Sequence, residues 1–169
     1  MAPNDFIRAK AHAALGTRFR RLSEQLERQV EALYAAHKTD FQPRWYPVVT
    51  ALVEHGALSV GELAAMIGMT HAAISQIRGE LKRAGMVRVA ADPHDRRRQI
   101  LQLSAKGKRE AERLAPLWAT VAQVSRELVT RDAPGLLQAL DRFEDAIRTN
   151  PIPARVHALA PKGKARRRS

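Results

Sequence analysis

Apolar residues recur along most of this chain in steps of three and four, interrupted by short turn-forming segments. Leu15, Phe19, Leu22, Leu26, Val30 and Leu33 follow that spacing, which predicts one long helix from Asp5 to about His37, or a helix broken near Gly16. Such a stripe suits packing against a second chain, or burial within its own subunit. Thr39-Asp40-Phe41-Gln42-Pro43 reads as a connection, and Trp45, Val48, Val49, Leu52 and Val53 share a face of the next helix, which ends at Gly56. Pro47 has no amide hydrogen, so that helix must start near Arg44 or be distorted at its aromatic entrance.

The pattern then shortens. Ser59 precedes Val60, Leu63, Ala64 and Ile67, an i, i+3, i+4, i+7 set on one helical face. Gly68 and Met69 interrupt it, Thr70 can cap a second short helix, and Ile74, Ile77 and Leu81 resume the helical period until Gly85. Met86 to Ala91 and Arg98 to Leu103 read as strands around the turn-forming run Asp92-Pro93-His94-Asp95-Arg96-Arg97. Two short helices followed by a charged hairpin describe a winged helix-turn-helix over residues 59–103. Beyond it, Ser104 can cap a helix with Leu114, Leu117, Trp118, Val121 and Leu128 on its apolar face, kinked at Pro116. After Asp132-Ala133-Pro134, a last helix is expected to turn Leu136, Leu137, Leu140, Phe143 and Ile147 inward, and Asn150-Pro151-Ile152-Pro153 to stop regular structure.

Composition narrows the class. The 169 residues suffice for one compact domain, expected over 1–150, and the tail 151–169, basic and without an acidic residue, is expected to be disordered. With 29 Lys and Arg against 17 Asp and Glu, the net charge of +12 favours a polyanionic partner. Cysteine is absent, which excludes disulfides, cysteine-ligated zinc and thiol redox sensing. The six histidines are scattered without tight ligand spacing, so neither metal nor cofactor is expected. No secretion signal and no membrane-length apolar stretch is visible, which predicts a cytoplasmic protein with no membrane partner. No arrangement of nucleophile, base and orienting group points to catalysis, so no enzyme is expected.

The chemistry concentrates on the second short helix. With Ile74, Ile77 and Leu81 inward, Ala72, Ser75, Gln76, Gly79 and Arg83 face outward. Gln can bond adenine bidentately, Ser can reach a phosphate or a base edge, and an alanine methyl can touch thymine. Gly79 is costly in a helix, and close approach of another surface, either DNA or a neighbouring helix, would explain it. Thr70 and His71 lie where unpaired amides and the helix dipole favour a phosphate. Between Arg78 and Arg109, ten basic residues face three acidic ones, an excess of seven out of the total of +12. Three consecutive arginines at a hairpin tip, Arg96, Arg97 and Arg98, suit a narrow minor groove, whose negative potential attracts arginine. Trp45 and Tyr46 either anchor their helix in the core or line a ligand pocket.

The run from Asp92 to Gly107, DPHDRRRQILQLSAKG, resembles the wing signature of the MarR family of bacterial transcriptional regulators. Gly61-Glu62-Leu63-Ala64, His71-Ala72-Ala73-Ile74-Ser75-Gln76 and Leu81-Lys82-Arg83-Ala84-Gly85-Met86-Val87 are similar to its helix-turn-helix. The resemblance implies a mainly α fold with a small β-wing. It also implies long N- and C-terminal helices, here 5–37 and 104–149, that interlock as a helical dimerisation region. The expected protein is a homodimeric, sequence-specific double-stranded DNA-binding regulator, usually a repressor, often controlled by a small-molecule effector. Ser75 and Gln76 would contact the groove, Arg96 and Arg97 would serve as wing contacts, and Asp95 would orient an arginine of the hairpin. Thr70, His71, Ala72, Arg83 and Arg98 complete the expected DNA surface, and Trp45 and Tyr46 the expected effector site.

Two other readings remain at this level. A non-specific architectural protein would bind mainly through the basic tail, with Lys162, Lys164, Arg166, Arg167 and Arg168. Gln42-Pro43-Arg44-Trp45-Tyr46-Pro47 is similar to MarR domains fused to acetyltransferases, which suggests a protein-interaction module; no glycine-rich acetyl-coenzyme-A loop is visible.

Overall fold

A computed structural model describes residues 5–91 and 99–159. The chain forms two compact units that divide at Arg113 and Leu114.

In the first unit, α1 (Phe6–Ala9) is separated from α2 (Leu15–Ala36) by a 3-10 turn over Ala11–Ala14. The break expected near Gly16 falls earlier, at Ala11, where φ is +45°. A non-glycine residue there cannot propagate a right-handed helix. Asp5 caps α1 and also accepts two hydrogen bonds of 2.8 Å from the Arg21 guanidinium on α2, so the two helices are tied across the break. Arg21, aided by the Arg8 amide, lowers the Asp5 pKa to about 2.

A 3-10 turn at Pro43–Trp45 leads into α3 (Tyr46–His55), with Pro47 in the first turn as its missing amide requires. Helix α4 (Val60–Ile67) starts in a capping box: Ser59 Oγ accepts from the Glu62 amide, and the Glu62 carboxylate accepts from the Ser59 amide at 2.8 Å. Gly68, left-handed at φ +74°, ends it. Helix α5 (His71–Arg83) is capped by Thr70, whose Oγ1 accepts from the Ala73 amide at 3.2 Å.

Strands β2 (Val87–Ala91) and β3 (Gln99–Leu103) pair antiparallel, Val89 opposite Leu101. A further strand, β1 (Leu58–Ser59), completes a three-stranded sheet in the order β1-β3-β2. Two residues are too few to show alternation, which is why the sequence did not announce it. Val48, Val49, Leu63, Ile74, Leu81 and Leu101 are fully buried between these helices and the sheet. Each such side chain contributes about 1.5–3 kcal/mol of burial free energy.

Helix α6 (Ala105–Asp132) runs through Pro116 as one element. Its start is clamped to the turn after α5. Ser104 Oγ donates to the Gly85 carbonyl at 2.6 Å, and Lys106 Nζ donates to the Ala84 carbonyl at 2.7 Å, capping the C-terminal end of α5.

In the second unit, α7 (Leu136–Thr149) has the expected amphipathic period, but its apolar face is not turned into a core. Leu136, Leu137, Phe143 and Ile147 are all more than a third exposed, and Leu140 is half-buried. Periodicity defines a face without supplying what covers it. A second correction concerns the end of regular structure expected at 150–153, where α8 (Ile152–Leu159) forms instead. Pro153 occupies its first turn, where no amide is required. The Arg155 guanidinium reaches back to the Asn150 and Ala146 carbonyls at 2.7 and 2.8 Å, closing the end of α7. Residues 160–169 of the predicted tail lie outside the described residues. Among the described residues no helix is long and apolar enough to cross a membrane.

A Cβ built at Gly107 would lie 2.1 Å from the Met86 carbonyl oxygen, whereas one at Gly79 meets nothing within 4 Å. Gly107→Ala is therefore expected to destabilise the fold by about 1–3 kcal/mol, as overpacking does. Gly79→Ala is expected to stabilise it by up to about 1 kcal/mol through helix propensity. Urea unfolding midpoints check the opposite signs.

Candidate nucleic-acid interface

The buried face of α5 determines what its other side presents. Because Ile74, Ile77 and Leu81 are locked inward, Ala72, Gln76 and Arg83 are exposed, while Ser75 and Gly79 are half-buried beside them. Thr70 and His71 are exposed at the N-terminal end. Thr70 Oγ1 is used as the cap acceptor, which leaves its hydroxyl proton available to an anion. The His71 ring lies over Gly61, where a Cβ would meet its Cε1 at 3.5 Å. Arg83 Nε donates to the Gly79 carbonyl at 3.3 Å. The sequence-predicted residues of this helix are thus gathered on one surface. The open space around Gly79 removes the neighbouring-helix explanation for that glycine among the described residues. Asp95, Arg96, Arg97 and Arg98 lie outside the described residues. The base of the wing is attached to α5 by a hydrogen bond from Arg78 to the Gln99 side chain.

Behind this surface sits a carboxylate that the sequence reading counted only as charge. Glu80 Oε2 accepts from Trp45 Nε1 and Arg44 Nε, both at 2.8 Å, and its Oε1 accepts from Gln76 Nε2 at 3.3 Å. The indole N–H of Trp45 is the main cause holding the Glu80 carboxyl below the usual glutamate range, with Gln76 and Arg44 adding to it against the cost of burial. The signal available in the sequence was the i, i+4 spacing of Gln76 and Glu80.

Trp45 is buried, edge-on to Phe41 at 5.7 Å between ring centroids, and Phe41 is edge-on to Tyr34 at 5.2 Å. Trp45 therefore anchors the core, and it also borders a cleft of about 210 Å³ lined with Lys38, Phe41, Lys106, Glu110 and Arg113 among others. Tyr46, paired with Trp45 in the expected effector site, is exposed and is not part of that lining. Successive residues of the 3-10 entrance and α3 point different ways, which separates the two rings. Within the cleft, Arg113 holds the Glu110 carboxyl below its usual range, with Thr39 Oγ1 donating to it at 2.5 Å.

Residues 39–98 match the model of the MarR family, a stretch that contains α3, the sheet's first two strands, α4 and α5. That stretch carries a winged helix-turn-helix similar to that of the MarR family. Solved MarR-type structures share the fold over most of the chain. The PcaV transcriptional regulator from Streptomyces coelicolor, in complex with its natural ligand, is 27% identical with a TM-score of 0.59, over 88% of this chain and 96% of that one. A mutant MarR from E. coli complexed with operator DNA has a TM-score of 0.63 at 16% identity, over 85% and 99%. BpsR from Bordetella bronchiseptica, whose DNA binding is regulated by 6-hydroxynicotinic acid, has a TM-score of 0.61 at 20% identity, over 85% and 97%. No curated protein matches the chain.

The Trp45–Glu80 contact is strongest with an ionised carboxylate. A glutamate whose folded pKa is depressed contributes stability that is full above its unfolded value, ordinarily 4.5, and is lost as pH falls through the lower folded value. In a Trp118→Phe background, Trp45 fluorescence is expected to stay constant from neutral pH down to about 4.5 and to change only below it. Arg44→Ala is expected to move that change to higher pH.

Proposed function

We propose that this chain is a sequence-specific double-stranded DNA-binding transcriptional regulator, a repressor that acts as a homodimer and responds to a small-molecule effector. The observation that carries the reading is the outer face of α5, where Ala72 and Gln76 stand exposed on a helix whose opposite face is fully buried. Gln76 would read a base edge, Ala72 would touch a thymine methyl, Ser75 and Arg83 would flank them, and Thr70 and His71 would receive a phosphate. Asp95, Arg96, Arg97 and Arg98 would form the tip that enters the minor groove. The MarR mutant complexed with operator DNA, similar in fold, supports this use of the helix.

Homodimerisation is supported by apolar faces that the single chain leaves exposed. On α2, Phe19, Leu22 and Leu26 are 41%, 51% and 49% exposed, and on α7 Leu137 is 57% exposed. A second copy of the chain would cover them, with 5–37 and 104–149 as the dimerisation helices. The effector would occupy the cleft beside Trp45, a role supported by PcaV with its natural ligand. At about 210 Å³ the cleft suits a compact molecule, smaller than those filling sites of about 300–1,000 Å³.

On an operator selected from random DNA, Gln76→Ala is expected to relax base preference at one position per half-site, by about tenfold, and Arg97→Ala to weaken binding to all sequences. Truncation after Leu159 is expected to keep sequence-selective binding. Gel shifts check all three, and near-complete loss of affinity on truncation would favour architectural binding through the tail instead.

A further inference from the structure

The polar cluster on Glu80 ties a residue of the α5 outer face to the aromatic core. A glutamine side chain presents an oxygen at one end of its amide and a nitrogen at the other, and the two ends exchange by a simple flip. Adenine is read only in one orientation, with the oxygen accepting from N6 and the nitrogen donating to N7. A carboxylate can only accept, so it holds the NH2 end of Gln76 towards itself and leaves the second amide hydrogen and the oxygen available outward. Glu80 is itself fixed: its side chain is only 10% exposed, and its other oxygen is held by two N–H donors at 2.8 Å, one from the buried Trp45 and one from Arg44. Nothing in direct base contact needs a carboxylate at this place, and a negative charge beside a DNA surface is repulsive. Its cost is reduced by Arg44.

We infer that Glu80 is a positioning residue for base selection, an anchor on Trp45 and Arg44 that sets the amide orientation of Gln76. The inference rests on the reading of Gln76 as a base contact. It makes the state of the core at Trp45 legible at the DNA surface, since displacing the indole N–H removes one of the two ties that hold the anchor.

The test compares binding of the full chain to its selected operator, to operators changed at the base pair read by Gln76, and to random-sequence DNA. Glu80→Gln replaces an acceptor-only partner by an amide that both donates and accepts, so Gln76 is free to flip. Discrimination at that base pair is expected to fall about tenfold, the scale of one lost bidentate reading, while affinity for random DNA is unchanged or tighter because a negative charge is gone. In a Gln76→Ala background, Glu80→Gln is expected to change discrimination no further. Trp45→Phe keeps an aromatic side chain in the core but removes the N–H donor together with part of the indole's volume, and is expected to lower discrimination several-fold in a protein with unchanged circular dichroism. The inference is overturned if Glu80→Gln and Trp45→Phe leave discrimination intact, or if Glu80→Gln still lowers it when Gln76 is already alanine. Failure of the reading beneath it is separate: the wild-type chain would then show no base preference at all.

Discussion

The inner face of α5 is the constraint on which the rest depends. Ile74 and Leu81 are fully buried, as are Leu63 of α4 and Leu101 of β3, so the helix cannot rotate about its axis without exposing apolar surface. Moving either side chain to water would cost about 1.5–3 kcal/mol, a large fraction of a typical domain's stability. The outer side chains are therefore presented at a fixed azimuth. The left-handed turn at Gly68, the caps at Ser59 and Thr70, and the close seating of Gly107 on the Met86 carbonyl each hold one end of an element.

Polar chemistry adds a finer level of order to this apolar frame. Burial fixes a helix to a fraction of a turn, but base recognition needs an amide in one of two orientations that differ by no packing energy. The Glu80 carboxylate, with its donors from Trp45 and Arg44, is placed where it can make that choice. Trp45 also borders the cleft with Lys106, which caps the end of α5. One short stretch of chain, from Arg44 to Trp45, thus meets both the cleft and α5.

Much of this was legible from residue spacing. The helical steps of Val60 to Ile67 and Ile74 to Leu81, with Ser59 and Thr70 before them, located α4 and α5 because local caps and local periods specify them. The two strands flanking the charged run were found for the same reason, and the family resemblance agrees with the match over 39–98. What escaped is non-local. Strand β1 exists only because β3 pairs with it, Arg155 of α8 reaches back to the end of α7, and Ala11 takes up the chain break expected at Gly16. Glu80 was invisible as a site residue because its partners, Trp45 and Arg44, are more than thirty positions away in the chain. The apolar period of α7 was read correctly as a face and wrongly as an interior one.

The central claim is that the outer face of α5 reads DNA twice, once from each of two symmetry-related copies. Hydroxyl-radical footprinting of the full chain on a DNA selected from a random pool tests it most directly. The account predicts a pseudo-palindromic sequence with two protected patches related by two-fold symmetry, centred about 10–10.5 base pairs apart or a multiple of that spacing. A pool that yields no preferred sequence, or protection that is continuous and without symmetry, would contradict it.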